Sequence, residues 1–170
     1  ADPDCADGLA YCTGQRPVVV LRTFSKAYGL AGIRIGYGVM PEELAGWLHR
    51  VRQPFNANAL AQAGACAALD DDAFMEKTAR LVRGELEFMY AALEHMGVNY
   101  FPSEANFFLI DVKCDADACF EAMLRQGVIV RSMVSYGYPE YIRISAGTRE
   151  ENQRFLDAFE TVMQQMQAQQ

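Results

Sequence analysis

The run Val18-Val19-Val20-Leu21-Arg22-Thr23-Phe24-Ser25-Lys26-Ala27-Tyr28-Gly29-Leu30-Ala31-Gly32-Ile33-Arg34-Ile35-Gly36-Tyr37-Gly38 decides how the rest of the chain is read. Val18 to Leu21 is an apolar run of the kind that forms a buried strand. A single lysine then stands among small and hydroxyl residues. A lysine just beyond a buried strand suits an amine nucleophile, because burial or nearby charge lowers its pKa and frees the lone pair. Thr23 and Ser25 add hydroxyls. Arg34 adds a fixed cationic fork that suits a phosphate. The glycines permit tight turns and a close approach of backbone to a ligand. Together these residues fit a molecule with both an aldehyde and a phosphate. The alternative is a surface lysine in a glycine-rich turn, which a lone Ser-Lys pair would mean.

Pyridoxal phosphate has those two groups. The segment Thr23-Phe-Ser-Lys-Ala-Tyr-Gly-Leu-Ala-Gly32 resembles the lysine motif of the class II pyridoxal-phosphate aminotransferases, and Gly32-Ile-Arg-Ile-Gly-Tyr37 resembles its phosphate-arginine part. Within that family the wording is nearest to the histidinol-phosphate aminotransferases. The resemblance continues through Glu104-Ala-Asn-Phe-Phe-Leu109 and Tyr141-Ile-Arg-Ile-Ser-Ala-Gly-Thr-Arg-Glu-Glu151. It covers nearly the whole chain, but only about the C-terminal half of a full family member. The resemblance implies an α/β chain: the C-terminal part of a fold-type-I large domain, residues 1–75, followed by an α/β small domain, residues 76–170.

The same resemblance implies roles. Lys26 holds pyridoxal 5'-phosphate and moves the proton. Thr23, Ser25 and Arg34 bind the cofactor phosphate, and Arg131 and Arg143 bind the anionic end of the substrate. An arginine between Ile142 and Ile144 needs a counter-charge or a pocket mouth in any case, since a desolvated guanidinium is costly. For both arginines a structural ion pair is the alternative. Asn106 matches a family position without a role here, Glu104 reads as a solvated loop carboxylate, and Arg149 as helix surface. The implied reaction is transamination of histidinol phosphate with 2-oxoglutarate, with a small-molecule amino donor and keto acid as partners and a homodimer as the assembly. Rivals are a threonine-phosphate decarboxylase, an aromatic aminotransferase, a non-catalytic dimerising fragment, or the cofactor-binding part of a regulator. In the family an aspartate on a buried strand upstream of the lysine holds the ring nitrogen's proton. Asp2, Asp4 and Asp7 look like poor substitutes, so the chain alone is expected to lack turnover.

Composition sets bounds. The chain has 170 residues, a net charge of −7 and 51% hydrophobic residues, which allows a sizeable core and disfavours a nucleic-acid binder. Cys5, Cys12, Cys66, Cys114 and Cys119 are scattered, without a Cys-x-x-Cys pair, and read as free thiols in a reducing compartment. With only His49 and His95 as histidines, no metal site is expected. No apolar run reaches membrane-spanning length and no signal peptide opens the chain, so the expected location is cytoplasmic.

The remaining elements follow from periodicity. Residues 1–17 read as loop, and Ile33 to Val39 as a second strand of a larger parallel sheet. Pro41 opens a helix at its first position, with Leu44, Trp47, Leu48 and Val51 as a core stripe. Ala59 to Leu69 and Ala73 to Met96 read as helices, with Asp70-Asp71-Asp72 as caps rather than metal ligands. Strands are expected at 98–101, 106–112, 128–131 and 141–145, and a helix at 116–126. Thr148-Arg-Glu-Glu151 is a capping box before the last helix, whose Gln-rich end from Gln164 is expected to fray.

Overall fold

The structure is a computed structural model that describes residues 6–12 and 16–168. Cys5, Asp2 and Asp4 lie outside the described residues. The chain divides into two compact units, Ala1–Ala79 and Arg80–Gln170.

The first unit contains β1 (Val20–Thr23), β2 (Gly36–Val39), α1 (Glu42–Val51), α2 (Ala59–Leu69) and the first turns of α3 (Asp72–His95). Strands β1 and β2 pair antiparallel, Val20 opposite Val39 and Thr23 opposite Gly36. The two strands expected to belong to a larger parallel sheet thus run antiparallel to each other. The link from Phe24 to Ile35 is short and folded into turns, whereas a parallel pair needs a crossover of a dozen residues or more, usually helical. Gly36 allows the close pairing: a Cβ there would sit 2.7 Å from the Arg22 carbonyl oxygen. β1 is not buried either. Leu21 is 75% exposed, because β1 pairs only with β2 among the described residues.

Other expectations need adjustment in this unit. The stretch expected to be loop contains a 3-10 turn, Gly8–Tyr11, capped by the Asp7 side chain. Pro41 is the N-cap of α1 rather than its first residue. The α1 stripe is not core: Trp47 is 53% exposed, and Leu48 and Val51 are exposed as well. Its amphipathic pattern is real, but within this structure nothing covers the apolar side. In α2, by contrast, Ala61 and Ala65 are buried, and Gly64 leaves room for Ile33, whose Cδ1 lies 3.3 Å from where a Cβ would be. Asn58 caps α2 through Ala61 N, and Asp71 Oδ1 accepts from Phe74 N at 3.0 Å, in keeping with a capping role for the acidic triplet.

The second unit has a sheet of four strands in the order β3-β4-β6-β5, formed by β3 (Tyr100–Phe101), β4 (Phe107–Asp111), β5 (Arg131–Ser132) and β6 (Tyr141–Ser145). Every neighbouring pair is antiparallel. The period-2 pattern sorts the side chains. Phe108, Ile110, Ile142 and Ile144 are buried in one cluster with Leu86, Met89 and Leu93 of α3, Cys119 and Met123 of α4 (Ala116–Arg125), and Phe155, Phe159 and Val162 of α5 (Arg149–Gln167). The helices therefore gather on one sheet face, an α+β arrangement. The other face presents Phe107, Leu109, Tyr141 and Arg143, all half-buried.

Helix α3 stops at Gly97, which takes φ 69° while Val98 N donates to Leu93 O. Thr148 and Glu151 form the capping box of α5. That helix extends through Gln167. Phe74 and Leu81, on the N-terminal half of α3, are exposed.

Candidate active site

Lys26 sits on a turn built by its neighbours. Phe24 is 3% exposed and packs against Tyr28 and Tyr37, with ring centroids 4.9 and 5.7 Å away. Phe24 N donates to Ile35 O, Leu30 N to Phe24 O, and Gly29 N to Lys26 O. Gly29 takes φ 70°, which a side chain would strain. One buried ring and three backbone bonds therefore close the loop 24–30, and Lys26 projects from it exposed.

Thr23, Ser25 and Arg34 are linked to one another around that turn. Ser25 N donates to Thr23 Oγ1 at 3.1 Å. Arg34 Nη1 donates to Ser25 Oγ at 3.3 Å and to Ala31 O at 2.7 Å. Arg34 itself adopts φ 54°, an unusual conformation for a residue with a side chain. The Ser25 hydroxyl thus accepts from the Arg34 guanidinium and the Thr23 hydroxyl from the Ser25 backbone N–H, in the same short stretch that carries the exposed Lys26. The hydroxyls and the guanidinium fit a phosphate, and the amine fits an aldehyde. Asp7, weighed from the sequence only as a substitute for the ring-nitrogen acid, has its Oδ1 2.8 Å from Arg22 Nη2. The pair is exposed and contributes little to stability.

Arg131 and Arg143 meet in the second unit. They are register partners on β5 and β6, so two guanidinium side chains leave the same sheet face side by side. Neither is ion-paired among the described residues. The Arg143 guanidinium carbon lies 5.0 Å from the Phe107 ring centroid, and that of Arg131 lies 6.0 Å from the Tyr136 centroid. Both line an open groove of about 730 Å³ with Asp117, Phe120, Ser132 and Ser145. Ser132 Oγ donates to Asp117 Oδ1, which engages that carboxylate. Like charges directly opposite on a sheet are destabilising, and an anion in the groove would relieve them. Asn106, at the start of β4, has its Oδ1 buried with no partner in the structure.

Arg149 is an exposed residue at the start of α5, as its reading as helix surface has it, and it also makes specific contacts. Its Nε donates to both carboxylate oxygens of Glu85 at 3.1 Å, and its guanidinium carbon lies 3.7 Å from the Phe88 centroid. The Glu85 side chain is only 8% exposed, and Asn152 Nδ2 donates to it at 2.9 Å. The Arg149 hydrogen bond holds the Glu85 carboxyl below its usual range, against burial, which acts the other way. Glu85 lies in the middle of α3, and only its position among apolar neighbours in the helical period could have drawn notice. Among the described residues no cluster of His, Cys, Asp and Glu could hold a metal, and no helix is long and apolar enough to cross a membrane.

Comparison with known proteins bears on this geometry. Residues 4–159 match the family described as "Aminotransferase class I and II". The chain belongs to the class I and II aminotransferases. It is similar to the histidinol-phosphate aminotransferase of Desulfotalea psychrophila, 50% identical over 90% of this chain and 40% of that protein. Among solved structures it is similar to histidinol-phosphate aminotransferase from Sinorhizobium meliloti in complex with pyridoxal-5'-phosphate. There the TM-score is 0.78 at 28% identity, over 89% of this chain and 43% of the other. It is also similar to L-threonine-O-3-phosphate decarboxylase from Porphyromonas gingivalis, with a TM-score of 0.77 at 29% identity, over 91% of this chain and 49% of that one. The chain thus spans less than half the length of these relatives. The likenesses carry the fold: this aminotransferase chain comprises part of the pyridoxal-phosphate transferase architecture.

Proposed function

We propose that this chain carries the lysine-bearing part of a pyridoxal-phosphate-dependent aminotransferase that acts on histidinol phosphate and 2-oxoglutarate. The observation that carries the reading is the hydrogen-bonded link of Thr23, Ser25 and Arg34 around the turn that bears exposed Lys26. Thr23, Ser25 and Arg34 would hold the cofactor phosphate, and Lys26 its aldehyde carbon. Bound pyridoxal phosphate supplies an electron-withdrawing ring that makes the substrate's α-proton acidic. Lys26 Nζ is the base that takes this proton and the acid that returns it. Arg131 and Arg143 orient the substrate through its anionic end, a phosphate in one half-reaction and a carboxylate in the other. The unpaired state of both guanidinium groups supports that role.

Residues 1–75 would then belong to the large domain and 76–170 to the small one. The exposed apolar residues Trp47, Leu48, Val51 and Phe55 support a homodimer, since a surface helix rarely leaves such a row in water. Free Cys12, Cys66, Cys114 and Cys119 support a cytoplasmic protein. The likeness to a threonine-phosphate decarboxylase favours one rival, because that substrate also carries a phosphate. The protein that contains this chain, supplied with cofactor, separates the two. Histidinol phosphate with 2-oxoglutarate should give glutamate, and threonine phosphate should release no carbon dioxide. Carbon dioxide release without glutamate would replace this reading with the decarboxylase.

A further inference from the structure

We infer that Glu85 and Asn152 are positioning residues for Arg143, acting through the turn that ends β6. The inference rests on the reading of Arg131 and Arg143 as an anion site. Asn152 holds both polar atoms of the Gly147 backbone: Gly147 N donates to Asn152 Oδ1 at 2.9 Å, and Asn152 Nδ2 donates to Gly147 O at 3.2 Å. An amide can make this grip in only one orientation. Glu85 selects it, because an ionised carboxylate only accepts and so must face Nδ2, at 2.9 Å. Arg149 completes the carboxylate's hydrogen bonds from the first turn of α5. Ala146 N donates to Asn106 O at 2.9 Å on the adjoining strand.

This network is costly if stability were its sole purpose. Glu85 is 6% exposed beside a large apolar cluster, so its carboxylate is desolvated, while its Arg149 partner is 59% exposed and its attraction is weakened by water. What the network supplies is a single arrangement of the β6–α5 turn. Arg143 needs one, because its cross-strand neighbour is a like charge and β5 contributes only two residues of pairing, Arg131 and Ser132. Repulsion between the guanidinium groups works against that short pairing. Fixing the far end of β6 to α3 keeps both groups aimed at one anion. The Arg149 charge is meanwhile occupied by Glu85.

Calorimetric titration with inorganic phosphate at constant ionic strength tests this, using the protein that contains this chain in an Arg34→Ala background that removes the proposed cofactor-phosphate site. Glu85→Gln keeps the shape and blurs the selection of the amide's orientation. It should weaken phosphate binding about tenfold. Removing a negative charge would by itself tighten anion binding, so the sign separates positioning from simple electrostatics. The Gly147 amide should exchange faster in the same variant. Phe159→Leu, a core change outside the network, should leave phosphate affinity unchanged. If Glu85→Gln does not fold, Asn152→Ser, which leaves the Glu85–Arg149 pair and loses the grip on Gly147, should show the same weakening. Unchanged or tighter binding in a folded variant, with binding still lost in Arg143→Ala, would overturn the positioning role and leave the anion site standing. Absence of saturable binding in the Arg34→Ala background without further change, or equal binding in Arg143→Ala, would overturn the anion site and this inference with it.

Discussion

Replacing Arg131 should raise the stability of the free chain while removing its response to phosphate. Arg131 and Arg143 are directly opposite on β5 and β6, and neither is ion-paired among the described residues. Like charges in such a pair cost roughly 0.2–1 kcal/mol, and exposure of Arg131 keeps the figure toward the low end. Arg131→Thr removes the repulsion and adds a good strand former, so we expect a gain of about 0.5 kcal/mol. For a chain of this size that is a rise in Tm of about 1–2 °C. Phosphate at 100 times its Kd should stabilise the wild type by about 2.7 kcal/mol. The variant, with one guanidinium left, should respond far less. Thermal unfolding followed by circular dichroism, in phosphate and in chloride of equal ionic strength, measures both effects. A lower Tm for Arg131→Thr together with an undiminished phosphate response would refute the reasoning, since the arginine would then be structural.

Glu85 makes an acid-limb prediction. The Arg149 hydrogen bond holds its folded pKa below the ordinary glutamate value, so its contribution is present above that ordinary value and is lost as the pH falls through the folded one. Acid unfolding of Glu85→Gln should be shallower there than that of the wild type. Burial pushes the Cys119 thiol up to about 12, whereas Cys66 is exposed, so iodoacetamide at pH 8 should label Cys66 and spare Cys119 until the chain unfolds. Gly36→Ala would put a Cβ 2.7 Å from the Arg22 carbonyl oxygen. It should cost about 1–3 kcal/mol in denaturant titration, and no loss would mean that β1 and β2 do not pair as described.

Much of this was readable from local patterns. Helix α2, strand β6 and the Thr148–Glu151 capping box follow from composition, alternation and a spacing rule, each of which acts within a few residues. The link between Thr23, Ser25 and Arg34 was within reach of the sequence because a short turn separates them. The adjacency of Arg131 and Arg143 was less so, since it depends on register between strands whose sequence positions say nothing of pairing. Glu85 was missed for a similar reason: its partners are 64 and 67 residues away. The stripe of Trp47 and Val51 shows the opposite failure. Periodicity reports that a face is apolar, and does not say what covers it.

The central claim is that Lys26 is the amine that holds the cofactor. The lysines of this chain are Lys26, Lys77 and Lys113. The protein that contains it should be incubated with pyridoxal phosphate, reduced with borohydride, digested and mapped by mass spectrometry. The account predicts the reduced cofactor on the peptide that contains Lys26, and loss of that label in Lys26→Arg. A label on Lys77 or Lys113, with Lys26 unmodified, would contradict it.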